Sequence, residues 1–436
     1  MSYLPIEHYG VIGDMRSVAL VGLNGSIDWH CLPFFDSPSV FGAILDDRIG
    51  GRFQLAPVGE SIARQSYLPS TNVLVTRFFT DEGTAEVTDF MSVGREAGGV
   101  TTQSSRHIVR IAKALRGPVR FRLECFPAFD YARQKSVVEF SGDGRAALFS
   151  IPGSQFALKS TVDLRREGAG AAAEFTLASN QESYFALRHS DGAADQSLMD
   201  EPLDAVSLLA ETVRFWRSWA AVCRYHGRWR EMVTRSALVL KMLTFQPTGA
   251  IVAAPTTSLP EQIGGVRNWD YRYTWVRDAA FTVYALMRLG YTEEAAAFAL
   301  FMQERAKEGG GAEGPLNVMY GIDGRHELPE ATLDHLSGYK GSKPVRVGNA
   351  AVGHRQLDIY GELMDSIYLY DKYGSPISYD MWMTVERLLD WLAKNWKTDD
   401  QSIWEVRGGR RPFTFSKLQC WVALDRGVRL ARKRSF

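Results

Sequence analysis

The sequence predicts a mixed fold, an N-terminal antiparallel β-sandwich followed by a set of helical hairpins. Short apolar runs separated by turn residues fill positions 1 to about 200. Near Asp204 the apolar spacing lengthens from two residues to the 3.6 of a helix. At 436 residues the chain also exceeds what one ordinary core accommodates, so two domains are expected.

The first strands lie in SVALVGLNGSIDWHCLP, where Asn24-Gly25 between apolar runs signals a hairpin, because both residues tolerate positive φ. NVLVTRFFT, TAEVTDFM, RHIVRIAKAL, PVRFRLECF, SVVEF, AALFSI, FALKSTV and SYFALRH follow, separated by DEG, RGP and SGDG. Many short strands with Gly and Pro punctuation predict the sandwich. DAVSLLAETVRFWRSWAAV then reads as a connecting helix. Six further helical segments are expected at about 229–245, 277–289, 292–306, 354–372, 379–395 and 414–432. Val233, Ala237 and Leu240 share one face of the first, and Met381, Val385, Leu388 and Leu392 one face of the fifth. The expected domains are a sandwich at 1–202, a linker helix at 203–228 and a helical domain at 229–436.

Charge and composition exclude several functions. Lys plus Arg and Asp plus Glu both number 50, so no net field recruits nucleic acid or an anionic membrane. No apolar run reaches membrane-spanning length, and MSYLPIEHYG lacks the pattern of a signal peptide. Cys31, Cys125, Cys223 and Cys420 show no pairing pattern and read as buried thiols, which makes the cytoplasm the expected compartment. The eight His never fall at metal-ligand spacing, and no metal or cofactor is expected. EGGGAEG at 308–314 lacks the Gly-Lys-Ser/Thr ending of a phosphate loop.

Polar and aromatic side chains are densest in GGVRNWDYRYTWVRDAAF, residues 264–281. Asp278 falls in the first turn of a helix, where the helix dipole favours a carboxylate. A capping acid beside a salt-bridging Arg is one reading. The other is a sugar pocket, in which Arg and Asp pair with hydroxyls and aromatic rings cover the apolar ring face. A long polar loop, NVMYGIDGRHELPEATLDHLSGYKGSKPVRVGNAA at 317–351, exceeds what a connection needs.

GGVRNWDYRYTWVRDAAF, LPEATLDHLSGYKGSKPVRVGNAA and IWEVRGGRRPFTFSKLQCWVALDRG resemble three linked signatures of glycoside hydrolase family 15, which contains glucoamylases, glucodextranases and bacterial trehalases. IEHYGVIGDMRSVALVGLNGSIDWHCLPFFDSPSVFGAILD resembles the N-terminal sandwich of its trehalase-like members. The resemblance implies a sandwich followed by an (α/α)6 toroid of twelve helices. The six counted here amount to an incomplete toroid.

It further implies that Glu405 is the general acid and that Arg277 and Asp278 hold the terminal glucose. Tyr271, Trp275 and Trp404 would line the pocket, and Arg346, Asn349 and His335 would border it. Family members hydrolyse α-glucosidic bonds with inversion, so an oligosaccharide or disaccharide such as trehalose is the expected substrate. The motif that supplies the family's general base is absent from the 436 residues. Asp278 is expected to have a low pKa and to position sugar. Glu330 and Glu362 are weaker candidates for the base. A non-catalytic carbohydrate-binding paralogue and an inverting α-glucoside phosphorylase, in which phosphate is the nucleophile, stay open as alternatives. Trp404 is expected to desolvate Glu405, with Arg407, Arg410 and Arg411 facing solvent or a carbonyl. An open half-toroid would expose apolar helix faces, so self-association is expected.

Overall fold

The computed structural model of the chain describes residues 3–93, 107–191, 197–200, 202–309 and 314–435. Residues 310–313 of the Gly-rich run therefore lie outside the described residues.

Two antiparallel sheets of eight strands form the N-terminal part. In one, the spatial order is Tyr9–Gly13, Val18–Gly22, Ser26–Cys31, Arg52–Pro57, Val119–Phe126, Gly170–Leu177 and Arg165–Glu167, with Ser39–Phe41 paired on Ser26–Cys31. In the other it is Val137–Phe140, Ala146–Ile151, Ser154–Ser160, Glu182–Asp191, His107–Arg116, Thr84–Met91, Leu74–Phe79 and Ile62–Tyr67. Alternation decides which side chains face inward. Phe53 and Leu55 of one sheet are buried with Leu74 and Phe78 of the other in a single apolar cluster.

The hairpin expected at Asn24-Gly25 is present, with only one residue in the left-handed region. Gly25 has φ 72°, its N–H donates to Gly22 O at 2.9 Å, and Asn24 Oδ1 accepts from Ser26 N at 3.1 Å. A Cβ at Gly25 would meet Leu55 O at 2.3 Å, so close strand approach as well as φ requires glycine there.

Helix α1, Ala205–Ala220, starts where Asp204 caps Ser207 N at 3.0 Å. Helix α2 spans Arg230–Met242. Helix α3, Val276–Leu289, ends at Gly290, whose φ of 102° turns the chain into α4, Glu293–Glu308. Helix α5 spans Asp358–Tyr373. Helix α6, Tyr379–Asn395, is capped by Ser378, and α7 spans Thr414–Arg434. Helix α5 is the centre of this group. Ser366 Oγ donates to Ala280 O of α3 at 3.3 Å. At Gly361 a Cβ would meet Gln419 O of α7 at 2.4 Å, so glycine sets the distance between α5 and α7.

Polar contacts fix the loops of the helical part onto the sheets. Arg272 is bidentate to Asp270 and donates Nη1 to Ser37 O at 2.8 Å. Trp29 Nε1 donates to Pro255 O at 2.8 Å. Trp216 of α1 is fully buried in the helical core, together with Met15, Val18 and Phe35 from the β part. No helix among the described residues is long and apolar enough to cross a membrane.

Candidate active site

The first turn of α3 sits under a cleft of about 630 Å3 where three loops meet. The strand pair Thr274–Trp275 with Met319–Tyr320 holds the entry to α3, so Trp275, Arg277 and Asp278 project together. The loop carrying Glu405 lies opposite. Its turn is closed by Glu405 N–H donating to Ser402 O at 3.0 Å. Ser402 and Glu405 have φ of 55° and 49°, in a region that non-glycine residues seldom occupy. Such strain is concentrated at functional sites.

Three donors converge on one oxygen of Glu405. Trp275 Nε1 donates to Oε1 at 2.8 Å, Gln356 Nε2 at 3.3 Å and Arg277 Nη2 at 3.4 Å. Oε2 accepts no hydrogen bond among the described residues, and Glu405 lines the cleft. Arg277 also pairs with Asp278 Oδ2 at 3.2 Å and donates Nη1 to Gln356 Oε1 at 3.2 Å. Glu405 and the Arg-Asp couple thus share one cleft.

The electrostatics correct two expectations. Burial, reinforced by Glu405, pushes the Asp278 carboxyl above the usual carboxylate range against the pull of Arg277, so the expected low pKa is not found. Trp404 is 74% exposed and does not desolvate Glu405. That environment is made by Trp275, Arg277 and Gln356. Arg407, Arg410 and Arg411 are exposed, as expected, although Arg407 also makes specific contacts. It lies 4.0 Å from the Trp269 ring centre and pairs with Glu330 at 3.1 Å.

Arg346 stacks on Trp269 at 4.5 Å and meets Glu330 at 3.3 Å. It stands behind the aromatic wall and supports it, whereas Trp269 lines the cleft. Tyr271, Trp275, Trp404 and Asn349 also line it. Asn349 positions the loop, donating to Asp270 O at 3.2 Å and capping Ala351 N at 3.0 Å. His335 is the clear departure. Its Nε2 lies 2.7 Å from Tyr131 O against the β part, because the turn before Tyr339 packs on the sheets. It is not a cleft residue.

The two weaker candidates for the base separate as well. Burial works against ionised Glu330, but Arg407, the Ala350 N–H and Arg346 together hold its pKa below the usual value. Glu362 and Asp358, one turn apart on α5, are buried behind Arg277. Burial first, then the negative charge of Asp358, raises Glu362 to about 8. Burial raises Asp358 to about 6 against the pull of Arg277. Sequence reasoning missed Gln356, a buried residue that bonds both Glu405 and Arg277. An amide just ahead of a helix has no periodicity to betray it. Among the described residues no group of three or more His, Cys, Asp or Glu could hold a metal ion.

In fold, antiparallel sheets followed by paired helices are shared with a bacterial glucoamylase solved with acarbose. The TM-score is 0.65 at 14% identity, over 99% of this chain and 67% of that one. Residues 2–201 match the family model described as "Trehalase-like, N-terminal", and residues 227–435 match "Glycosyl hydrolases family 15". The chain belongs to glycosyl hydrolases family 15. It is 40% identical over 447 residues to a trehalase of Mycolicibacterium smegmatis, covering 98% of this chain and 66% of that protein. It is 36% identical over 422 residues to a trehalase of Thermoplasma acidophilum, covering 95% and 69%. The chain thus spans about two thirds of the length of these relatives.

Proposed function

We propose that this chain carries the acid half of an inverting α-glucosidase site and that trehalose is its substrate. The observation that carries this reading is the convergence of Trp275, Gln356 and Arg277 on Glu405 Oε1 inside a cleft walled by Trp269 and Tyr271. It turns Oε2 toward bound sugar. Trehalase-named relatives support the choice of trehalose.

In the proposed reaction Asp278 and Arg277 hold hydroxyls of the terminal glucose, and Glu405 Oε2 gives its proton to the glycosidic oxygen as the C–O bond breaks. Water adds to the anomeric carbon from the opposite face and loses its proton to a second carboxylate, which inverting enzymes hold roughly 6.5–9.5 Å from the first. Glu330 is engaged by two arginines and Glu362 is buried behind Arg277, so neither suits that role. We assign the water-activating carboxylate to the third of the relatives' length that has no counterpart here. We also propose that α2 to α7 are six helices of an (α/α)6 toroid. On this view Phe281 and Tyr284 of α3, and Leu418, Trp421 and Val428 of α7, all exposed, mark its open edges.

The test joins this chain to the remaining third of a relative. Hydrolysis of trehalose is expected, releasing one β-glucose and one α-glucose per bond, read by proton NMR before mutarotation. Release of glucose 1-phosphate only in the presence of phosphate would overturn the hydrolytic reading. Absence of turnover with retained trehalose binding would favour a non-catalytic binder. The 436 residues alone are expected to self-associate in light scattering, and a monodisperse monomer would refute the open-edge proposal.

A further inference from the structure

A second cavity, also about 630 Å3, lies at the other end of α3, between α1, the end of α2 and the turn joining α3 to α4. It shares no lining residue with the cleft. The fourteen residues of α3, rising about 1.5 Å each, separate the two by roughly 20 Å.

One wall is aromatic and rigidly held. Trp219 stacks on Tyr291 with ring centres 4.0 Å apart and planes 7° from parallel. Its indole N–H donates to Glu294 Oε1 at 2.9 Å, and Lys241 Nζ meets the same oxygen at 2.8 Å. Glu294 is almost completely buried. Gln246 also lines the cavity. Its backbone N–H is fixed to Met15 O at 3.0 Å, yet its buried Oε1 accepts no hydrogen bond. Met15 holds φ at 64°, a second non-glycine residue-level strain beside a cavity.

We infer that this cavity is a second binding site, for a neutral saccharide. Gln246 lines the cavity, and its side-chain amide is a hydrogen-bonding group at the wall for ligand hydroxyls. Lys241 has three N–H donors, and its contact with Glu294 leaves others for ligand oxygens. The indole offers an apolar edge for a sugar's C–H face. Around the rim Arg214 and Lys241 oppose Glu211, Glu293 and Glu294, a near balance that suits neither a polyanion nor a polycation. A purely apolar ligand would cover the Gln246 amide and the remaining Lys241 donors without bonding them. The volume lies in the ordinary range for small-molecule sites.

The experiment uses the chain as it stands. Asp278→Ala disables the cleft, and trehalose and maltose are titrated by calorimetry and by saturation-transfer NMR. Binding is expected to persist in Asp278→Ala and to weaken at least about ten-fold when Gln246→Leu or Lys241→Met is added. Loss of all saccharide binding in Asp278→Ala overturns the inference while leaving the cleft's reading intact. Residual binding unchanged in both double variants overturns it too. Sulfate is expected not to compete for the residual site, and competition would overturn the assignment to a neutral ligand.

Discussion

In the β part, Arg110 and Asp89 are completely buried and meet at 2.7 Å. Arg110 also donates to Phe53 O at 2.6 Å and Gly25 O at 2.7 Å, and its guanidinium lies over the Phe53 ring. Behind the cleft, Asp358 and Glu362 are nearly as deep, but among the described residues none of their four carboxylate oxygens accepts a hydrogen bond. Arg277 attracts both, and it is shared with Asp278 and Glu405. The first cluster is bridged by four hydrogen bonds from Arg110 and ties strand to strand. The second keeps acids together that burial drives toward the neutral form. Burial raises Asp89 as well, but there it works against hydrogen bonds from Arg110, whereas Asp358 and Glu362 feel the pull of an arginine engaged by other carboxylates too.

The largest expected effect breaks the satisfied cluster. Arg110→Met leaves the buried Asp89 carboxylate without its cation and removes a donor from Phe53 O and Gly25 O, and should cost about 3–5 kcal/mol in urea unfolding of the chain. A loss below about 1 kcal/mol would erase the contrast. On the cleft side, Glu405→Gln removes the proposed proton donor without disturbing the core. In the extended protein, kcat on trehalose should fall about 10²–10⁴-fold with sugar affinity retained. A change only in affinity would make Glu405 a binding group.

Glu362→Gln sharpens the comparison through pH. The folded state holds a proton on Glu362 up to about 8, whereas the ordinary value is 4.5. The native protein therefore binds more protons than the unfolded chain between those values. The stabilisation is present below about 4.5 and is lost as pH rises through about 8, with a slope of at most about 1.4 kcal/mol per pH unit. Glutamine cannot ionise, so the variant should lose this part of the slope in urea unfolding followed across that window. An unchanged slope would mean that Glu362 is ionised in the folded protein. The smallest effect is expected for Arg407→Ala. Its pair with Glu330 is half exposed, so stability should change by about 0–1 kcal/mol. Saccharide affinity should weaken, because Trp269 loses one of its two stacked arginines, and calorimetry would show it.

How much was legible in the sequence varied with distance along the chain. The onset of helix near Asp204 was legible because apolar spacing changes over a few residues, and the caps found at Asp204 and Ser378 act over the same short range. The couple Arg277 and Asp278 was visible for the same reason, as adjacent charges at a helix entry. The partners of Glu405 were not, since Trp275 stands 130 positions away and Gln356 stands 49. The tight turn at Ser402–Glu405 defeated a local inference too. Adjacency suggested that Trp404 covers Glu405, but the left-handed φ at Glu405 leaves Trp404 in solvent. His335 lay in a loop rich in site-like residues, yet its contact is with a carbonyl 204 positions earlier.

Apolar periodicity, turn residues and local chemistry by themselves determined the order of sheets and helices and the cluster at 264–281, while attention to Glu405 came from the resemblance of its motif to a family signature. These are properties of neighbouring residues, and steric and hydrogen-bonding rules over a few positions suffice to set them. Only the tertiary structure decided which oxygen of Glu405 is engaged, that Asp278 is raised, and that Arg407 braces Trp269 beside Glu330. Each depends on burial and on charges brought close by packing. Desolvation and Coulomb forces follow distance in space, and sequence separation carries no measure of it.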